Sequence, residues 1–266
     1  MKHLGLLTIF LVITCTLNTN AQTARLYTSA DGLANSHIHD IYQDSRGFIW
    51  IPTENGLSRF DGIKFFNFNF DRSKPNSIAS NTVRAILEDS NGRFWVGTSA
   101  GLQTFDTEYS TFTKVNLEDW SVPDSDQHIT RILEISLNGR KKILAASSGH
   151  GIYILDAETC EIDHDCQNAI NKALPSKFIF ETFKDSRNRL WITTDAGGLT
   201  IIDPDNLLSV PAAWDKGLRK EKEDIINTFT EDLNTGNLLI GTTNHGILIW
   251  EKETGTIRRP EGRMES

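Results

Sequence analysis

Residues 83–106 read VRAILEDSNGRFWVGTSAGLQTFD. An apolar-rich run leads into Asp-Ser-Asn-Gly. A second apolar run with a tryptophan follows, then a small-residue loop, then a third run that closes on an acid. Two neighbours repeat the plan: DSRGFIWIPTENG over residues 44–56 and DSRNRLWITTDAGG over residues 185–198. The dense mixture of acid, base, glycine and tryptophan looks at first like a catalytic loop. Its recurrence at a spacing of 45 to 49 residues makes it a structural repeat instead.

Worked outward, the repeat predicts five units. The aspartates are Asp44, Asp89, Asp185 and Asp232, with Ser136 in the remaining place. A tryptophan place follows at Trp50, Trp95 and Trp191, filled by Ile143 and Leu239 in the other two units. Third strands read GLSRFD, GLQTFD, GIYILD, GLTIID and GILIWE. A weaker fourth segment closes each unit, in the third unit near residues 161–164. Four short strands separated by turn signals, with almost nothing helical between them, predict an all-β fold. It is a β-propeller of four-stranded antiparallel blades in five repeat units, with the ring incomplete or open. The expected units span residues 32–70, 77–115, 125–166, 173–210 and 222–260 within a propeller covering 22–266. The aspartate is expected to form the turn, with glycine supplying the positive φ, and the tryptophan to pack between blades.

Residues 1–21 carry Lys2, a short apolar run and a small-residue cleavage pattern at Thr19-Asn20-Ala21, which predicts a cleaved signal peptide and a periplasmic protein. Net charge is −8, without blocks of one sign, which favours solubility and argues against a nucleic-acid partner. No later window has the length of apolar sequence that a membrane helix needs. After cleavage only Cys160 and Cys166 remain, either paired as a disulfide or as two thiols on a variable edge.

The segment over residues 83–106 is very similar to the propeller repeat of bacterial two-component regulators. That repeat forms the periplasmic sensor region of hybrid histidine kinases common in Bacteroidetes. The resemblance covers essentially residues 24–260 and is degenerate in the third and fifth units. It implies a ligand-sensing role in signal transduction, with an oligosaccharide as the ligand. Family members carry more blades, a β-sandwich, a membrane helix and kinase domains, so the chain reads as a truncated sensor. Residues 25–27 look like an outer strand whose blade is missing. Its partners would then be a second copy, or the missing blades of a longer sensor.

Catalytic chemistry finds little support. His37 and His39 have the spacing that puts both on one face of a strand, yet Thr82 and Arg84 fill those places in the next unit. Cys160, Asp163, His164 and Cys166 could be drawn as a zinc set, but they fall where an outer edge strand is expected. No nucleophile elbow, redox pair or phosphate-cradling loop occurs. No metal, cofactor or enzyme activity is therefore expected. The alternatives are an exported propeller lyase or glycoside-acting enzyme, and a non-functional gene remnant.

Topology locates the expected site. The DSxG turns lie at one end of the blades. The loops before each first strand and those between second and third strands share the other end. Ligand contacts are expected there, at Asn35, His37, Glu54, Asn55, Asn81, His128, His150, Asp195, Asn244 and His245.

Overall fold

The computed structural model describes residues 25–117, 127–196, 199–207, 209–210 and 226–260. The expected signal peptide lies outside them. They form five antiparallel sheets in chain order. Blade 1 contains β1 (Tyr42–Gln43), β2 (Ile49–Thr53), β3 (Gly56–Phe60) and β4 (Phe65–Phe68). Blade 2 contains β5 (Val83–Glu88), β6 (Phe94–Thr98), β7 (Gly101–Asp106) and β8 (Thr111–Lys114). Blade 3 has three strands, β9 (Ile129–Leu137), β10 (Arg140–Ser147) and β11 (Ile152–Asp156). Blade 4 contains β12 (Ile179–Lys184), β13 (Leu190–Thr194), β14 (Leu199–Ile202) and β15 (Ser209–Val210). Blade 5 contains β16 (Ile226–Glu231), β17 (Leu238–Thr242), β18 (Gly246–Trp250) and β19 (Ile257–Arg258). The sheets stack as a propeller whose ring is open.

The aspartate and the tryptophan form one device. Asp89 Oδ1 accepts the backbone N–H groups of Asn91 and Arg93, both at 2.9 Å, and its Oδ2 accepts Trp95 Nε1 at 2.8 Å. Asp44 treats Arg46, Phe48 and Trp50 the same way, and Asp185 does so with Arg187, Arg189 and Trp191. Three N–H donors satisfy each buried carboxylate, and the indole is fixed for packing on the next blade. Asp232 has no indole to hold, because Leu239 fills that place, and it accepts Asn234 N and the Thr235 hydroxyl instead.

Blade 3 departs from the sequence expectation. Its first hairpin is two residue pairs longer, with Leu137 opposite Arg140 and a turn made by Asn138 and Gly139 at positive φ. The ladder therefore puts Ile135, not Ser136, in the aspartate place. It puts Leu144, not Ile143, in the tryptophan place, where Leu144 packs with Ile179, Leu190 and Ile192 of blade 4. Ile143 faces blade 2 with Trp95. The expected fourth strand is reduced to one bridge, Leu155 to Ile162. A helix, α1 (His164–Ala173), follows it, capped by Asp163 and buried through Cys166 and Ile170.

Residues 25–28 form no strand. Tyr27 packs on the rings of Phe60 and Phe65 at 5.0 and 5.8 Å, so this segment lies against blade 1 itself.

Candidate functional site

The first strands of blades 2 to 5 touch from blade to blade, and β5 touches β2 of blade 1, so this edge of the sheets lines the axis. Near its start each carries a β-bulge or register break. In blades 2, 4 and 5 the ladder shifts between Val83 and Ala85, Ile179 and Glu181, and Ile226 and Thr228. In blade 3 Ile129 and Arg131 face consecutive residues, Ser147 and Ala146. In blade 1 the break sits beside Pro52, which has no N–H to give, while its carbonyl accepts His39 N at 2.9 Å. Bulges re-aim side chains. The residues turned out of register are His39, Arg84, Thr130, Phe180 and Asn227, unlike in every blade. The next row round the axis is Asp40, Ala85, Arg131, Glu181 and Thr228, also unlike.

Two polar clusters result. At the joint between blades 1 and 2, His39 Nε2 lies 2.7 Å from Glu54 Oε2, and Thr82 donates its hydroxyl to Glu54 Oε1 at 3.1 Å. The His39 bond, foremost, holds the Glu54 carboxyl below its ordinary range, with Thr82 and Arg84 acting in the same direction. The His37 ring lies 4.9 Å from that of His39, and Arg84 Nε is buried without a protein hydrogen bond among the described residues. At the joint between blades 3 and 4, Arg131 grips Glu181 with two bonds, at 2.9 and 3.0 Å. Burial opposes the charged guanidinium, but the Glu181 pair outweighs it and raises the Arg131 pKa. Burial pushes the Asp40 carboxyl up, opposed by the Ile41 N–H and by Arg131.

Of the residues expected to contact ligand, His37 and Glu54 lie in the first cluster. Asn35 closes an Asx turn onto His37 N. Asn55 and Asn81 are struts: the Asn55 carbonyl accepts Asn69 Nδ2, and Asn81 Oδ1 accepts Phe70 N. The His128 carbonyl accepts Ser148 N, which ties the two loops of blade 3 together, and His150 Nδ1 is buried without a hydrogen-bond partner among the described residues. Asp195 N donates to the Phe178 carbonyl and leaves its side chain exposed. Asn244 and His245 lie in the turn between β17 and β18. The expected loops thus share one end of the blades, and of these residues His37 and Glu54 lie in the polar cluster between blades 1 and 2. Sequence reading missed Asp40, Arg131 and Glu181. Aligning the five first strands column by column would have exposed them, since these columns vary while the one before them stays apolar.

The drawn zinc set is not assembled. Asp163 caps α1 through Cys166 N at 3.1 Å and pairs with Lys142 at 2.9 Å. Cys160 and Cys166 are free thiols, with Cys160 Sγ 2.7 Å from Arg93 Nη1. Burial, foremost, and Asp163 push the Cys166 thiol up to about 11. Among the described residues no three His, Cys, Asp or Glu side chains group as a metal set, and no helix is long and apolar enough to cross a membrane.

Comparison with known proteins agrees with this architecture. The family described as two component regulator propeller matches residues 32–55 and 77–100, which fall in blades 1 and 2. The extracellular domain of the hybrid two component system BT3049 from B. thetaiotaomicron superposes with a TM-score of 0.69 at 27% identity, over 88% of this chain and 31% of that one. The corresponding domain of BT4673 from the same organism superposes equally well at 18% identity, over 86% of this chain and 31% of that one, a likeness of fold. Histidine kinase P4 of Formosa agariphila is 31% identical over 84 residues, 30% of this chain and 6% of that protein. The chain therefore spans under a third of the length of these relatives. Blades 1 and 2 thus match the two component regulator propeller repeat, and the chain has the fold of the extracellular domains of hybrid two component systems.

Proposed function

We propose that the chain is the ligand-sensing propeller of a two-component regulatory system, acting in the periplasm and binding an oligosaccharide at the mouth of its axis. The carrying observation is the bulged row, which presents a different side chain from each blade where a purely structural repeat needs only a uniform one. Expected contacts are His37, His39, Glu54 and Arg84 on one side and Phe180, Asp195 and Asn227 on the other, with Asn244 and His245 at the last blade. Catalysis is not part of this reading. Glu181 spends both oxygens on Arg131 and Glu54 its own on His39 and Thr82, which leaves Asp40 as a lone axial acid among the described residues, where a glycoside-acting enzyme needs a pair. Output through a histidine kinase would come from sequence beyond this propeller. A second copy or further blades would cover its two end faces.

The test is calorimetric titration of the chain with a panel of oligosaccharides. One sugar class should bind, and Glu54→Gln should weaken it by roughly tenfold, as loss of a charge-assisted hydrogen bond does. Failure of the whole panel, or unchanged binding by Glu54→Gln, would overturn the mouth as the site.

A further inference from the structure

A second concavity lies away from the axis, on the outer rim between blades 1 and 2. It has a volume of about 960 Å³ and is walled by residues 67–78 and 110–112. That is the upper part of the size range of small-molecule sites. Its floor is apolar: Phe68 meets the buried Phe112 at 5.9 Å, and Ile78 is fully buried. Its wall is a braced loop. Asn81 Oδ1 holds Phe70 N at 2.8 Å, and Asn69 Nδ2 reaches the Asn55 carbonyl at 2.9 Å. Ser77 accepts Asp71 N at 3.0 Å, and the Asn76 carbonyl accepts Phe112 N at 2.9 Å. So two of the loop asparagines expected to touch ligand instead fix a wall. A wall fixed beforehand lowers the ordering cost of binding.

The lining chemistry is specific. Phe70 is half exposed, an uncovered aromatic ring at the lip of the cleft. The Asp71 carboxylate is occupied by Ser73 and by Lys74 at 3.3 Å. Arg72 has no ion pair or hydrogen bond among the described residues. It is therefore the uncompensated charge of the cleft, on a chain whose net charge is −8. The Asn76 carboxamide supplies donors and an acceptor beside it. An aromatic face, a carboxamide and one free guanidinium suit a sugar with a carboxylate: ring stacking, hydroxyl bonding, and a forked pair to the acid. We propose that this rim cleft is a binding site for a uronic-acid-containing oligosaccharide. It rests on the sugar-sensing reading for the ligand class, but uses a different place on the molecule.

The experiment titrates the chain with tetragalacturonic acid and with neutral maltotetraose, for the native sequence, Phe70→Ala, Arg72→Ala and Glu54→Gln. The acidic sugar should bind more tightly. Arg72→Ala should weaken it by about tenfold or more and erase the preference, and Phe70→Ala should weaken both sugars. Glu54→Gln reads the mouth instead, and weakens binding only where the sugar sits there. A native chain that does not bind the acidic sugar, or prefers the neutral one, overturns the proposal, as does native-like binding by Phe70→Ala and Arg72→Ala. Loss of binding on Glu54→Gln alone refutes the cleft and leaves the axial mouth standing. The converse pattern refutes the mouth and supports the cleft.

Discussion

The four joints between blades and the two end faces of the stack use the same positions with opposite outcomes. The place that faces the preceding blade holds Ile86, Ile132, Thr182 and Phe229, exposed by 3%, 6%, 4% and 7%. In blade 1 the same place holds Ile41, which is 63% exposed. The place that faces the next blade holds Trp50, Trp95, Leu144 and Trp191, all fully buried, whereas Leu239 of blade 5 is only half-buried. A second device separates the two classes. At three joints a turn serine is gripped through its N–H and hydroxyl by a glutamate of the next blade. The pairs are Ser45 with Glu88, Ser90 with Glu134 and Ser186 with Glu231. At the joint from blade 3 to 4 the lengthened hairpin changes the grip. There Asn188 holds the Ser136 backbone and Lys184 donates to the Glu134 carbonyl. The end faces present Leu233, 90% exposed, in the serine place and Gln43 in the glutamate place. An apolar residue thus fills most of these places whether or not they are covered, and the serine–glutamate grip occurs only at covered joints.

The largest expected contrast is between equivalent isoleucines. Ile86→Asp buries an unpaired carboxylate in a covered joint and should cost about 3 kcal/mol or more, or prevent folding. Ile41→Asp places the same charge on an uncovered face and should change stability by no more than about 0.5 kcal/mol. Urea unfolding followed by tryptophan fluorescence compares the two. Equal losses would mean that blade 1 is covered in solution.

The grip is worth less. Ser186→Ala removes a hydroxyl bond to a partly solvated carboxylate and should cost about 1 kcal/mol. Leu233→Ser should cost almost nothing, because no glutamate among the described residues lies opposite it. A thermal melt resolves the pair, and a large loss from Leu233→Ser would refute the reading of the end face.

A smaller effect comes from the axis. The folded-state pKa of Asp40 is raised, first by burial. The native state therefore binds this proton more tightly than the unfolded chain. Its contribution favours folding at low pH and is lost as pH rises through the folded pKa. Asp40→Asn should therefore stabilise the protein modestly at neutral pH and leave acid stability unchanged, as melts at several pH values would show. Destabilisation at neutral pH would mean that the Asp40 charge is needed by Arg131.

Most of the architecture was legible because each blade must turn and pack alike, which repeats the same residues in the chain. Blade 3 was misread where that constraint relaxes. Without an aspartate and an indole, Ser136 and Ile143 looked like the matching residues, and only the ladder shows that two added pairs move the register to Ile135 and Leu144. Helix α1 was missed because its apolar content within residues 164–173 is four side chains, Cys166, Ala169, Ile170 and Ala173, amid polar neighbours. The axial rows showed in the sequence only as two variable columns of the first strands. The bulge that turns them toward the axis shows only in the pairing with the partner strand.

The central claim is that the DSxG end holds the blades together while the opposite end serves function. Its most direct test is a thermal shift with and without the bound oligosaccharide on two variants. Asp89→Asn, at the turn, should lower the melting temperature and keep the ligand-induced rise. Glu54→Gln, at the mouth, should keep the melting temperature close to native and reduce that rise. A ligand response lost with Asp89→Asn and kept with Glu54→Gln would contradict the account.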